Sequence, residues 1–313
     1  MSHSAQKIVR KIVLVHLAAG IGNIVLATPL LVALQQLGFA VDVALAADYP
    51  ETADLFRPWS LVRVVFTNRD IPPMENYSYV IAAIPPFYWP RFAPRFRGAE
   101  NLVSRPSDSL FYTNEQSYYL SFANTLGWKG ADPPVTLPIA SIGRSDVTRR
   151  TLVLAPGCKS GEMAKKRWPF FSRLAERFHD VVLVGTADDL RDGQGARLDL
   201  SAHLRNLAGQ LSLRETAEVI ASAGAFVGND SGLSHIAAAV GTPTVMIFGP
   251  TSDLVLGPLP SNVRVVRRGL RCEPCWSNDR FRACSGRIDC LAQVTVEMVV
   301  RSLVELGFCR NPS

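Results

Sequence analysis

The feature that most constrains this chain is a pattern of apolar strand, glycine turn and helix that occurs in both halves. Residues 11–17 are apolar and β-branched, as expected of a buried parallel strand. Gly20 and Gly22 interrupt this run before the helical pattern of residues 23–37. The pattern starts again with the apolar run at residues 151–155. Repeated alternation of this kind predicts an α/β fold with parallel sheets.

The remaining predicted elements form two sets, separated by a polar segment. Residues 144–150 are charged and follow the proline-rich residues 132–138, which is typical of a domain boundary. We expect two doubly wound, Rossmann-like domains, residues 1–148 and 149–313, that face each other across a cleft. Further strands are predicted at residues 40–46, 62–66, 79–84, 181–184, 225–227 and 243–248, and further helices at 166–179, 212–222, 234–240 and 294–306.

Composition and charge limit the classes of function that this chain can have. The net charge is +6, and almost all of the excess lies after residue 148, which suits an anionic ligand such as a nucleoside diphosphate. Nucleic acid is not expected as a partner, because no recognition motif accompanies the charge. No apolar run reaches the roughly 18 residues of a membrane span, and the first residues lack a signal-peptide pattern. We therefore expect a cytoplasmic protein, with peripheral contact at the inner membrane as a further option.

Three short motifs contain candidate binding or catalytic residues. The first comprises Gly20, Gly22 and Asn23 after the first strand, where backbone N–H groups face outward at a helix start. A tight strand-to-helix turn is the alternative interpretation. The second is the Gly157–Cys158 turn followed by a cationic cluster at residues 165–167, which is typical of a diphosphate-binding loop. A solvated basic loop is the alternative there.

The third motif is the most specific and runs from Asn229 to His235. A strand ends in glycine and asparagine, and Asp230, Ser231 and Gly232 then turn into a helix. Asp230 and Ser231 occupy positions typical of helix capping, which is their structural alternative. A histidine in the first turn of such a helix would lie beside any phosphate bound there.

These motifs together resemble glycosyltransferase family 9, the ADP-heptose:lipopolysaccharide heptosyltransferase family. The resemblance extends from about residue 11 to about residue 300, and any one of its motifs alone would be weak. The matching segments, in chain order, are residues 20–29, 166–169, 209–213, 229–235 and 241–251. The resemblance implies a GT-B fold, in which the amino-terminal domain receives an acceptor and the carboxyl-terminal domain binds a nucleotide-sugar donor.

The resemblance also implies roles for individual residues. Lys166 matches the lysine that contacts donor phosphate, Asp189 an acid that holds the ribose hydroxyls, and Leu211 the residue that packs on the base. The residues that match the loop and helix start around the diphosphate and sugar are Gly157, Cys158, Asp230, Ser231, Gly232, Leu233 and His235. Cys158 departs from the small or hydroxyl residues usual at its position.

The implied reaction is inverting transfer of heptose from ADP-heptose to a lipopolysaccharide-core or related glycan acceptor, without a cofactor. Lys166 and His235 are the candidate catalytic residues on the donor side. The family usually carries aspartate as the base directly after the second glycine, where this chain has Asn23. An amide does not accept a proton at neutral pH, and no other residue stands out from the sequence as the replacement.

That departure keeps other interpretations open. One is a transferase that uses another nucleotide sugar in glycoprotein, polysaccharide or natural-product assembly. Another is a catalytically impaired protein that only binds the nucleotide sugar. A third is a non-hydrolysing sugar-nucleotide epimerase, whose extra catalytic carboxylates are not evident here.

Two further features are candidate sites. Residues 85–97 interleave aromatic residues with Arg91, Arg95 and Arg97, which suits an acceptor loop or a membrane-interface patch. A partly buried loop with a solvated basic edge is the alternative. Four cysteines suit a tetrahedral structural site for zinc or iron, with reduced structural thiols as the alternative. These cysteines are Cys272, Cys275, Cys284 and Cys290.

Overall fold

The computed structural model contains two parallel sheets. It describes residues 11–67, 70–140, 146–159, 161–191, 198, 204–276, 281, 284 and 288–308. All paired strands in both sheets are parallel. The strands of the first sheet end at Ser104, and those of the second begin at Leu152. The predicted division into two doubly wound halves is therefore confirmed, while the boundary at residue 148 stays a prediction.

The first sheet has the strand order β3-β2-β1-β4-β5. Its strands are β1 (Ile12–Ala19), β2 (Ala40–Ala47), β3 (Val62–Thr67), β4 (Tyr79–Ala83) and β5 (Leu102–Ser104). Its helices are α1 (Ile21–Leu26), α2 (Thr28–Gln36), α3 (Ala53–Phe56), α4 (Trp89–Phe92) and α5 (Glu115–Thr125). The central strand β1 is buried from Val13 onward, because helices cover both faces of the sheet.

The second sheet has the order β11-β10-β9-β6-β7-β8. Its strands are β6 (Leu152–Ala155), β7 (Val181–Leu183), β8 (Arg205–Asn206), β9 (Ala225–Asn229), β10 (Thr244–Ile247) and β11 (Val263–Val266). Its helices are α6 (Phe171–Ala175), α7 (Leu213–Ser222), α8 (Gly232–Ala239), α9 (Asp289–Ala292) and α10 (Val296–Glu305). The chain winds outward from β6 and then returns to β9 on the other side, so a topological switch point lies between these two strands.

Several predicted elements differ in extent. The helix predicted at residues 23–37 is two helices, because Pro29 starts a new helix directly after Ala27. The helix predicted at residues 166–179 is reduced to α6, preceded by a 3-10 turn at Gly161–Lys166. Helix α5 and strand β11 are not predicted at all. Among the described residues, no helix is long and apolar enough to cross a membrane.

The two halves also contact each other directly. The Gln116 side chain on α5 donates a hydrogen bond to the Pro258 carbonyl over 3.1 Å. A buried apolar cluster is continuous from β1 and α2 of the first half to β9 and α8 of the second. The cleft between the sheets is therefore closed on one side by packed side chains, which fixes how the loops at the strand ends face each other.

Candidate active site

The site begins where β6 and β9 end side by side. In a doubly wound sheet, ligands bind at the carboxyl ends of the strands next to the switch point. The Gly157 turn follows β6, and the Asp230–Gly232 turn follows β9. The structure therefore brings two of the three predicted motifs to the same edge of the sheet.

Asn229 holds these two loops together. Its Nδ2 atom donates to the Pro156 carbonyl over 2.7 Å, and its Oδ1 atom accepts from the Trp168 backbone N–H over 2.9 Å. The side chain is fully buried, so the loss of either bond would leave a polar group unsatisfied. Asn229 is thus a structural support of the site, a role that the sequence did not indicate.

Lys166 and Asp230 form the charged centre of the site. Lys166 Nζ lies 2.8 Å from both the backbone oxygen and Oδ2 of Asp230. Burial acts to raise the pKa of Asp230, but Lys166 and His235 outweigh it and hold that pKa well below its ordinary value. The carboxylate therefore stays ionised, and the lysine ammonium is fixed at the start of α8.

Helix α8 presents its amino terminus to this centre. Ser231 is the N-cap residue, but its side chain makes no capping hydrogen bond, so capping is not what its hydroxyl does here. Its side chain, Gly232 and Leu233 are all half-buried at the cleft. The first-turn N–H groups and the helix dipole favour an anion at this position, next to the Lys166 ammonium.

A second ion pair lies on the other side of the Gly157 turn. Arg167 Nη2 is 3.1 Å from Asp189 Oδ1, and the other carboxylate oxygen accepts from the Thr186 backbone N–H over 2.8 Å. The Asp189 carboxyl covers Gly157, where a Cβ atom would overlap it. Burial raises the pKa of the neighbouring Cys158 thiol, despite Lys166 and Arg167 nearby. Cys158 is therefore a neutral thiol that lines the site.

Across the cleft, α1 approaches α8 at two glycines. A Cβ atom on Gly22 would lie 2.7 Å from His235 Cδ2, and one on Gly232 would lie 2.7 Å from Ile21 Cβ. Gly20 is the N-cap of α1, and a Cβ atom there would make only an ordinary contact with Asn23 Oδ1 at 3.7 Å. Just before it, Ala19 adopts a left-handed φ of 99°, a strained conformation that is often found at functional sites.

Asn23 contacts a carboxylate that the sequence analysis missed. Its Nδ2 atom donates to Glu115 Oε1 over 2.6 Å. Burial raises the pKa of Glu115 to about 7, although Asn23 and His235 act to lower it. His235, whose Nε2 lies 3.7 Å from Asp230 Oδ1, belongs to the other half, and its effect on the pKa of Glu115 relates the two halves across the cleft.

The sequence pattern does not indicate Glu115, because it does not predict helix α5. Asn114 caps α5 by accepting from the Ser117 N–H over 2.9 Å, and an asparagine at this place is a recognisable helix start. Tyr118, Tyr119 and Phe122 recur at helical spacing on its buried face. These were the signals available in the sequence.

The other predicted residues lie apart from this centre. Leu211 is half-buried two residues before α7, and the next residue, Ser212, lines an open crevice of about 590 Å³ between the two halves. Arg91, Arg95 and Arg97 are exposed, and Arg91 pairs with Asp48 over 3.0 Å. The predicted acceptor role of these arginines stays a prediction.

The cysteine cluster is divided between surface and core. Cys275 and Cys290 are buried, Cys272 is exposed and Cys284 is half-buried. Within the described ranges, no group of three or more side chains that could hold a metal ion is found. The predicted structural zinc or iron site is therefore not supported.

Comparison with known proteins identifies the family to which this chain belongs. The family model described as glycosyltransferase family 9 (heptosyltransferase) matches residues 126–284. Lipooligosaccharide heptosyltransferase 2 of Haemophilus influenzae is 39% identical over 129 residues, which are 38% of this chain and 37% of that protein. Lipopolysaccharide heptosyltransferase 2 of Escherichia coli K12 is 36% identical over 129 residues, 38% of this chain and 36% of that protein. The matches thus span little more than a third of these curated relatives.

A solved structure extends the comparison to the whole fold. The structure of E. coli ADP-heptose LPS heptosyltransferase II superposes with a TM-score of 0.67 at 21% identity, covering 95% of this chain and 98% of that one. The predicted GT-B architecture is therefore confirmed. Since the family model covers half of the sequence, this chain belongs to glycosyltransferase family 9 (heptosyltransferase).

Proposed function

We propose that this chain is an inverting glycosyltransferase that transfers heptose from ADP-heptose to a lipopolysaccharide-core or related glycan acceptor. The observation that carries the proposal is the Lys166 ammonium fixed at the amino terminus of α8. A buried cation beside uncapped helix N–H groups suits a diphosphate. The relatives named as heptosyltransferases support heptose as the transferred sugar.

In the proposed donor complex, the diphosphate lies between the Gly157 turn and the start of α8. Asp189 is the proposed partner of the ribose hydroxyls, since a carboxylate accepts two O–H groups. Leu211 is the proposed contact of the base, and its chain neighbour Ser212 lines the crevice between the two halves. Cys158, Ser231 and Leu233 would line the path between base and sugar.

The proposed step is a direct displacement at the anomeric carbon. The bond from that carbon to the diphosphate oxygen breaks, and its electron pair stays on the leaving diphosphate. Lys166 and the α8 N–H groups stabilise the negative charge that develops there. His235 lies between Asp230 and the opposing helix α1, which supports a proposed position beside the reacting sugar. In this proposal, no metal ion or other cofactor takes part in the step.

Two alternative functions would use the same donor site. A different nucleotide sugar would change the base and sugar contacts but not the diphosphate contacts. A protein that only binds the donor would lack a base for the acceptor. The acceptor role of the amino-terminal domain, the cytoplasmic location and a peripheral membrane contact also remain predictions.

The first experiment compares donors. Thermal unfolding is measured with ADP, UDP and GDP, because a ligand that binds only the folded chain raises its melting temperature. Transfer from ADP-heptose to a heptose-deficient core oligosaccharide is then followed by mass spectrometry. We expect a rise in melting temperature with ADP and a mass gain of one heptose. Stabilisation by UDP or GDP alone, or ADP binding without transfer, would contradict the proposed function.

A further inference from the structure

Inverting transfer needs a base that removes the proton of the acceptor hydroxyl. At the position where the family usually has aspartate, this chain has Asn23. The amide N–H of Asn23 donates a hydrogen bond to the Glu115 carboxylate, and an amide does not serve as a base at neutral pH. If the proposed function is correct, a different residue must accept this proton.

We propose that Glu115 is the catalytic base and that it replaces the missing carboxylate at position 23. The assignment rests on the proposed transferase function and names the residue that deprotonates the acceptor. Glu115 Oε1 lies 2.6 Å from Asn23 Nδ2. The carboxylate is thus supplied by the first residue of α5 instead of by α1, but it lies next to position 23 in the cleft.

The position of Glu115 is fixed from two sides. Asn114 caps α5, which orients the first turn and the Glu115 side chain within it. The Asn23 amide then holds one carboxylate oxygen. Because an amide N–H favours the ionised form of its partner, Asn23 stabilises the carboxylate in the state that a base requires. Asn23 is therefore a positioning residue.

The charges around Glu115 suit proton transfer near neutral pH. Burial raises its pKa to about 7, and a base is most effective when its pKa lies near the working pH. The groups that face it are Asn23 from α1, Tyr119 from α5, and His235 and Asp230 from the other half. His235 acts to lower the pKa of Glu115, and Asp230 acts to raise it.

The geometry also places base and leaving group on opposite sides of the cleft. Glu115 belongs to the amino-terminal half, and Lys166 lies beside Asp230 in the carboxyl-terminal half. Gly22 and His235 make one of the contacts between the halves, next to this site. Glu115 is only 6% exposed, so this proposal requires the α1–α8 contact to open locally before an acceptor hydroxyl can reach the carboxylate.

In the proposed step, one O–H bond and one C–O bond break, and one O–H bond and one C–O bond form. The acceptor O–H bond breaks, its proton goes to the Glu115 carboxylate, and its electron pair forms the bond from oxygen to the anomeric carbon. The bond from that carbon to the β-phosphate oxygen breaks, and its electron pair leaves with ADP. The products are the glycosylated acceptor, ADP and a protonated Glu115, which then releases the proton to solvent.

The test compares a variant that lacks the Glu115 carboxylate with a double variant that carries a carboxylate at position 23 instead. Glu115→Gln keeps the size of the side chain and removes the base, so we expect kcat to fall by about 10²-fold to 10⁴-fold. ADP affinity should stay within about twofold, since Glu115 lies in the other half from the diphosphate site. The double variant Asn23→Asp/Glu115→Gln restores a carboxylate at the same place, and we expect it to regain at least about tenfold of the lost kcat.

The pH profile separates a base from a structural residue. The wild type should lose kcat below a pH near 7, the pKa that burial gives Glu115, and the double variant should show this limb at a different pH. Glu75→Gln, at an exposed glutamate of the same half, is the matched control and should behave as the wild type. Far-ultraviolet circular dichroism checks that each variant is folded.

The outcomes distinguish this assignment from the proposed function. Transfer by the wild type together with near-normal kcat in folded Glu115→Gln would overturn the base assignment alone. An inactive Glu115→Gln with no rescue in the folded double variant would also contradict it. Absence of transfer by the wild type would overturn the proposed function, and the assignment of Glu115 would fall with it.

Discussion

Lys166 Nζ lies 2.8 Å from both the backbone oxygen and the side-chain Oδ2 of Asp230. The ammonium is therefore neutralised by a buried carboxylate before any ligand arrives. Such a pair costs desolvation on both sides, and its main contribution is to hold the charge in one position. A diphosphate that enters the site finds a cation already oriented toward the start of α8.

The first prediction concerns the removal of this cation. Lys166→Ala leaves Asp230 buried without its main partner, so we expect a loss of about 3–5 kcal/mol in the free energy of unfolding. ADP affinity should fall by about 30-fold or more, corresponding to about 2 kcal/mol. Urea unfolding measures the first quantity and isothermal titration calorimetry the second. Lys165→Ala is the matched control, because the Lys165 amine lies over the Phe281 ring instead.

A double variant separates the effect on stability from that on binding. Lys166→Met/Asp230→Asn removes both charges, so no ion is left unpaired and most of the stability should return. ADP affinity should not return, since the cation is still missing. Recovery of ADP affinity in this variant would show that Lys166 contributes only to folding.

The second prediction tests the contact between α1 and α8. Gly22→Ala adds a Cβ atom 2.7 Å from His235 Cδ2, so the His235 ring or one of the two helices must shift. We expect kcat to fall by about tenfold or more with ADP affinity unchanged, because a displacement of about 1 Å between reacting groups can cost about 100-fold. Gly20→Ala is the control, since its Cβ atom would meet only Asn23 Oδ1 at 3.7 Å. Equal kcat in both variants would mean that the contact is irrelevant to transfer.

The fold was largely predictable from the sequence because buried parallel strands are encoded locally. The runs that became β1, β6 and β9 are apolar, short and ended by turn residues. Helix lengths were less predictable, since tertiary packing decides where a helix ends. The helix predicted at residues 166–179 shortens to α6, and its amino-terminal turn instead directs Lys166 toward Asp230.

The candidate site was predictable only where its residues are close in sequence. Asp230, Ser231 and Gly232 belong to one motif and lie together as expected. Glu115 lies 92 residues from Asn23, and nothing in the spacing along the chain relates them. Long-range pairs such as these depend on the packing of α5 against α1 and α2, which sequence periodicity does not contain.

The third prediction concerns Asn23→Asp alone. Beside Glu115, the new carboxyl would lie within hydrogen-bond distance of another carboxyl, since Asn23 Nδ2 is 2.6 Å from Glu115 Oε1. Two such groups share a proton, and one pKa rises strongly. We expect kcat at pH 7 to fall and its acidic limb to move to higher pH, measured as a pH–rate profile. A large gain of activity at pH 7 would instead mean that position 23 holds the base and that Glu115 does not.

The last prediction concerns two buried groups that titrate in opposite directions. Burial raises the pKa of Glu115 from 4.5 to about 7. Between these pH values the folded chain keeps a proton that the unfolded chain has lost, so the free energy of unfolding falls as pH rises. Burial, together with Arg95, lowers the pKa of His16 from 6.5 to about 4. Between the folded and unfolded pKa values of His16, the unfolded chain holds the extra proton, so the free energy of unfolding rises with pH.

In the wild type the two contributions to the free energy of unfolding oppose each other between about pH 4.5 and 6.5. A variant that lacks one of the two groups therefore shows the pH dependence that the remaining group causes. Relative to the wild type, Glu115→Gln should gain stability as pH rises, by up to about 1.4 kcal/mol per pH unit. His16→Leu should show its largest advantage near pH 4.5 and lose part of it by pH 6.5. It should also be more stable throughout, because neither His16 ring nitrogen has a hydrogen-bond partner among the described residues. Urea unfolding at pH 4.5, 5.5 and 6.5 measures both slopes, and parallel curves for all three proteins would show that neither group titrates as its burial requires.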